Sequence, residues 1–88
     1  MKVKTVTVKN ETGLHARPAT EIAKLANRYK SNIVLKLGEK EVNAKMPLMI
    51  MSLGIKGNSQ IEIKCEGEDE LEALTEITEL FENNFGEL

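Results

Sequence analysis

The sequence predicts an α+β fold, a mainly antiparallel sheet of four strands with three helices laid over one face. Three observations carry this. Four short stretches are β-branched or alternate apolar with polar residues, two longer stretches repeat apolar residues at helical spacing, and a third apolar run is bracketed by proline and glycine. They follow one another in the order β-α-β-β-α-β-α. Strands and helices that are each apolar on one side bury those sides by stacking in two layers. The 88 residues suit a single domain over 1–88, since typical domains begin near ~50 residues.

Val3 to Val8 is rich in β-branched residues and reads as the first strand. Asn10 to Gly13 breaks it. From Ala16 to about Tyr29, the residues Ala19, Ile22, Ala23 and Ala26 recur at helical spacing, with Glu21, Lys24 and Arg28 turned elsewhere. That narrow face of small residues lets the helix lie close against a sheet. Ile33, Leu35 and Leu37 alternate with Val34 and Lys36, and after a turn at Gly38-Glu39-Lys40 the segment Glu41-Val42-Asn43 returns as a hairpin strand.

The run Met46 to Ile55 is nearly all apolar and holds three of the four methionines. A fully buried strand would fit its hydrophobicity, but Pro47 near the start and Gly54 near the end favour a short helix. It is too apolar for one buried face, so part of it is expected to stay exposed as an adaptable methionine-rich patch. Ile61-Glu62-Ile63-Lys64-Cys65 is the cleanest strand alternation, and it places Cys65 in the core. In the last helix Asp69 and Glu72 have the spacing of a capping box. Leu71, Leu74, Ile77, Leu80 and Phe81 then form one apolar side, reaching Phe85. Thr5, Thr7, Glu62 and Lys64 suit the uncovered sheet face.

Composition narrows the function. With 41% apolar residues but only Tyr29, Phe81 and Phe85 as aromatics, the core is aliphatic. A single cysteine excludes an internal disulfide and a metal site of several thiolates. No stretch approaches the ~20 apolar residues of a membrane span, and the amino terminus lacks the apolar core of a signal peptide, so a cytoplasmic protein is expected. The Asn10-Glu11-Thr12 glycosylation match is then fortuitous. Residues 1–64 hold all twelve basic side chains with five acids, whereas residues 65–88 hold nine acids and no base. The acidic segment suits a solvated helix, with Glu68, Asp69 and Glu70 near its positive end. The basic part draws anionic or acidic partners. Nucleic acid is not expected, because the bases are scattered and aromatics for stacking are few.

The octapeptide Thr12-Gly13-Leu14-His15-Ala16-Arg17-Pro18-Ala19 carries the chemistry. Backbone N–H groups in the first turn of a helix lack intrahelical partners, and the helix dipole places positive charge there, so an anion is stabilised. Pro18 suits a first turn, and Gly13 permits a sharp bend that presents His15, the sole histidine. A neutral imidazole offers one nitrogen lone pair as nucleophile. Arg17 supplies a fixed cation whose donors match phosphate oxygens. By residue chemistry alone, a solvated histidine at a helix start is the plainer alternative, and a hydrolase using His15 as general base is a third, weakened because no carboxylate is placed nearby in sequence to orient the ring.

This octapeptide, the element order, the Met51-Ser52-Leu53-Gly54-Ile55 segment and the length of 88 together resemble HPr, the histidine-containing phosphocarrier family of the bacterial sugar phosphotransferase system. The resemblance spans the whole chain and implies an open-faced β-sandwich. It implies that His15 accepts a phosphoryl group on Nδ1 from phosphorylated enzyme I, which takes it from phosphoenolpyruvate, and passes it to a sugar-specific enzyme IIA. Arg17 would neutralise the phosphate, and the backbone N–H groups of Ala16 and Arg17 would bind its oxygens. Leu48, Met49, Met51 and Leu53, with Thr20 on the first helix, would form the docking surface. Such a protein is a carrier regenerated in each cycle rather than a stand-alone catalyst, needs no metal or cofactor, and is expected to be a monomer that meets membrane transport only through its partners. In many Gram-positive members a serine at position 46 is phosphorylated by an ATP-dependent kinase. Here Met46 stands there, so that regulatory branch is expected to be absent or to use another residue, and a regulatory paralogue acting through binding alone is the alternative.

Overall fold

In the computed structural model, which describes residues 1–86, the strands β1 (Lys2–Thr7), β2 (Asn32–Leu37), β3 (Lys40–Asn43) and β4 (Gln60–Glu66) form one antiparallel sheet in the order β1-β4-β2-β3. Three helices, α1 (Ala16–Ala26), α2 (Pro47–Ser52) and α3 (Glu70–Glu82), complete the order β-α-β-β-α-β-α. A 3-10 turn at Asn84–Gly86 follows. The architecture is the expected open-faced β-sandwich.

Register sorts the side chains because successive strand residues point to opposite faces. Val6 pairs with Ile61, Leu35 with Ile63 and Ile33 with Cys65, and all six are buried beneath the helices. Thr5 pairs with Glu62 and Val3 with Lys64 on the uncovered face, where Lys64 Nζ lies 3.1 Å from Glu41. From α1 the buried side chains are Pro18, Ala19, Ile22, Ala23 and Ala26, so the small-residue face is buried, and the elements that pack closest to this helix are α2 and α3 rather than a strand. Phe81 and Phe85 pack edge to face with ring centroids 5.0 Å apart. Burial, with Glu70 and Asp69 adding to it, pushes the Cys65 thiol up to about 11, which keeps it protonated and unreactive. Among the described residues no helix is long and apolar enough to cross a membrane.

Three local expectations are corrected. Helix α1 ends at Ala26 rather than near Tyr29. Asn27 closes it, with Nδ2 donating to the carbonyls of Ala23 (2.8 Å) and Lys45 (3.0 Å), and the amides of Arg28 and Tyr29 make tighter i→i−3 bonds. Asp69 precedes α3 but its side chain does not cap the helix, and the capping box with Glu72 does not form. Its carboxylate accepts instead from the amides of Lys30 and Ser31, each at 2.9 Å, and from Ser31 Oγ at 2.5 Å. Glu70 takes the local role, accepting from the Gly67 amide at 3.1 Å.

Leu71 is the third. It is 63% exposed, while Ala73, Leu74, Ile77, Thr78 and Phe81 form the buried stripe of α3. At ~100° per residue Leu71 lies roughly 90° from the centre of that stripe, a flank that is covered only where another element overlies it.

Candidate functional site

The site begins in the loop that leaves β1. Asn10 is buried, and its Nδ2 donates to the Gly13 carbonyl at 2.6 Å and to Thr12 Oγ1 at 3.3 Å, while the Gly13 amide donates back to the Asn10 carbonyl at 3.1 Å. Asn10 therefore closes the turn with side chain and backbone together. Gly13 sits at φ +69°, where a Cβ would come within 2.1 Å of the Ile55 carbonyl oxygen. Only glycine fits both the left-handed backbone and that approach. The next amide, that of Leu14, donates to the same oxygen at 3.1 Å, and the Leu14 side chain is buried. The residue before His15 is thus fixed to the segment that leaves α2.

His15 follows as the N-cap of α1 with extended backbone, φ −81° and ψ −166°, and an exposed side chain. Its carbonyl accepts the first helical bond, from Ala19 at 3.0 Å, and its imidazole does not cap the helix. Ala16 and Arg17 open the first turn, where amides lack intrahelical acceptors, and Pro18 has no amide proton to leave orphaned. No acidic side chain occupies that turn. The Arg17 guanidinium is exposed, with Nε 4.0 Å from Glu21 Oε1 one turn further on. Local sequence thus brings together an imidazole, first-turn amides and a guanidinium at one helix mouth.

Thr20 is also exposed on α1. Helix α2 packs against α1 and divides by face. Ile50 is fully buried and anchors it, Leu48 and Met49 are 76% and 41% exposed, and Met46 at its N-cap is 50% exposed. Met51 is half-buried. Leu53 departs from the expected docking set: three residues after Ile50 it turns to the same inward face and is 8% exposed. Ser52 Oγ donates to the Met49 carbonyl at 2.6 Å, a structural bond within the helix. Gly54, at φ +62°, supplies the left-handed residue that stops the helix.

Sequence reasoning missed three participants. Asn10 carries a signal, since asparagine side chains close turns. Glu21 is visible as the i+4 partner of Arg17. Ile55, whose carbonyl fixes the loop across 41 residues of sequence, has no local signature.

Comparison with known proteins follows the same lines. The family model described as "PTS HPr component phosphorylation site" matches residues 2–83. The phosphocarrier protein HPr of Treponema pallidum is 44% identical over 87 residues, covering 99% of each chain. A crystal structure of HPr from Thermoanaerobacter tengcongensis superposes with a TM-score of 0.96 at 42% identity, covering 100% of this chain and 99% of that one. A second structure from that organism, an HPr dimer, gives 0.79 at the same identity over 99% and 100%. The catabolite repression protein Crh of Bacillus subtilis, a domain-swapped dimer, gives 0.77 at 36% identity over 96% and 97%. The chain belongs to the HPr family, the phosphocarriers of the phosphotransferase system.

Proposed function

We propose that His15 accepts a phosphoryl group on Nδ1 from phosphorylated enzyme I, charged in turn by phosphoenolpyruvate, and passes it to enzyme IIA proteins in the cytoplasm. The observation that carries this is an exposed imidazole on the extended N-cap of α1, immediately before the first-turn residues Ala16 and Arg17. Phosphoryl transfer asks mainly for in-line positioning and for stabilisation of charge on the phosphoryl oxygens. The Gly13–Ile55 approach holds the backbone before His15, while Arg17 and the amides of Ala16 and Arg17 supply positive charge without enclosing the group. A carrier needs that openness, because the second nucleophile must reach the phosphorus. Leu48, Met49 and Met51 on α2, with Thr20 on α1, form the docking face. A transient complex requires only a modest surface of this kind.

Met46 has no hydroxyl, so the serine-kinase branch has no acceptor at that position. A monomer suffices for the carrier role. The regulatory alternative draws on the likeness to Crh, but HPr from Thermoanaerobacter tengcongensis is closer in both fold and sequence, and the carrier is favoured. Incubation with phosphoenolpyruvate and enzyme I is expected to give one acid-labile, base-stable phosphate. Unchanged labelling of His15→Ala would remove His15 from that role. Failure to restore sugar uptake in cells lacking their own carrier would favour the regulatory alternative, and stoichiometric seryl phosphate with ATP and the family's kinase would overturn the view of Met46.

A further inference from the structure

Helix α1 opens against the usual electrostatics of a helix start. Its first turn carries the cation Arg17 and no acid, although the positive end of a helix dipole favours anions. One turn further on, Glu21 places its Oε1 4.0 Å from the Arg17 Nε, with the two side chains 40% and 59% exposed. An exposed i,i+4 pair with the cation on the N-terminal side is the weaker orientation. Such a contact gives the guanidinium a resting place without locking it.

We propose that Glu21 is a positioning residue of the phosphoryl cycle: it holds Arg17 in the dephosphorylated protein and competes for that guanidinium with the phosphoryl group on His15. The inference rests on His15 being the acceptor. A phosphoryl group carries more charge than a carboxylate and matches the planar donors of arginine, so it wins the competition. Pairing with it costs Arg17 its contact with Glu21. That cost falls on the phosphorylated form alone, so Glu21 makes phospho-His15 a better donor and His15 a weaker acceptor. During transfer the bond from the His15 nitrogen to phosphorus forms as the bond from phosphorus to the donor atom of enzyme I breaks. Glu21 touches none of these atoms and acts through Arg17.

Competition for a limited phosphoryl pool tests this. 15N-labelled wild type and unlabelled Glu21→Gln are mixed with catalytic enzyme I and substoichiometric phosphoenolpyruvate until exchange reaches equilibrium, and the phosphorylated fraction of each is read by mass spectrometry. The variant is expected to hold about two- to fivefold more phosphoryl group than wild type, the range of an exposed ion pair. A ratio of one or less overturns the proposal. In an Arg17→Ala background the ratio is expected to fall toward one. An unchanged ratio there would show Glu21 acting by its own charge and would overturn its role through Arg17. If wild type takes up no phosphoryl group at all, the carrier function itself fails, a result distinct from any ratio between the two proteins.

Discussion

Helices α1 and α3 both begin beside groups that bind anions or supply them, and they use those groups in opposite ways. At the start of α3 the acids are committed to folding. Asp69 ties the β4–α3 connection to the α1–β2 connection through Lys30 and Ser31, and Glu70 accepts from Gly67 and pairs with the amino terminus at 3.3 Å. At the start of α1 the first turn has no acid, the imidazole does not cap, and the cation sits where the dipole disfavours it. One helix start is satisfied from within the chain. Under the proposed function the other receives its anion as the phosphoryl group on His15, and the backbone of residues 10–14, pinned to Ile55 at Gly13 and Leu14, holds that start in place.

The sharpest way to break this contrast is to attack that backbone. Gly13→Ala places a methyl group 2.1 Å from the Ile55 carbonyl oxygen and 2.8 Å from Lys56 Cα at a positive φ. Overpacking and left-handed strain together predict a loss of about 3 kcal/mol, read as a lower urea midpoint. Because the clash pushes Leu14 from Ile55, His15 labelling should also slow in conditions where the variant is still folded. A variant as stable and as active as wild type would show that the close approach does not hold the site.

The start of α3 yields to pH. The Ser31 hydroxyl, followed by the Lys30 amide, holds the Asp69 carboxyl below the usual carboxylate range. A group whose folded pKa is depressed stabilises the fold above its unfolded pKa, about 3.9 for Asp, and that contribution is lost as pH falls through the folded value. Asp69→Asn should therefore lower the urea midpoint at pH 7 and narrow its gap to wild type as pH drops below about 4. His15 labelling at pH 7 should be unaffected in the folded variant. A gap that stays constant with pH would mean that the Asp69 charge does not tie these connections, and lost labelling would mean that the two helix starts are coupled.

The same contrast separates what the sequence could disclose from what it could not. The four strands, the start of α1 and the partly exposed α2 are set by neighbours within a few residues, so alternation, Pro18, Pro47 and Gly54 were enough to read them. Asp69 looked like a local cap because Glu72 stands at the right spacing, but its partners at Lys30 and Ser31 are brought there by the antiparallel pairing of β2 with β4. Leu53 belonged visibly to an apolar run, yet only the placement of Ile50 against the core decides which way it turns. The imidazole, amides and guanidinium of the site were legible because all lie within three residues. The Ile55 carbonyl that fixes them was not.

Leu71 gives the smallest effect and the most direct test of that division. Its spacing from Leu74 invites placement on the apolar side of α3, where polar replacement would cost several kcal/mol, as truncation of a packed leucine costs ~2–5. The folded chain instead leaves it 63% exposed on the flank of the first turn. Leu71→Gln should then change stability by no more than about 0.5 kcal/mol, since glutamine is almost as good a helix former as leucine and an exposed site away from caps and core contributes little. Phosphoryl uptake on His15 should be unchanged. A midpoint shift of core size in urea would mean that the start of α3 is covered in solution, and that sequence periodicity described this helix better than its fold does.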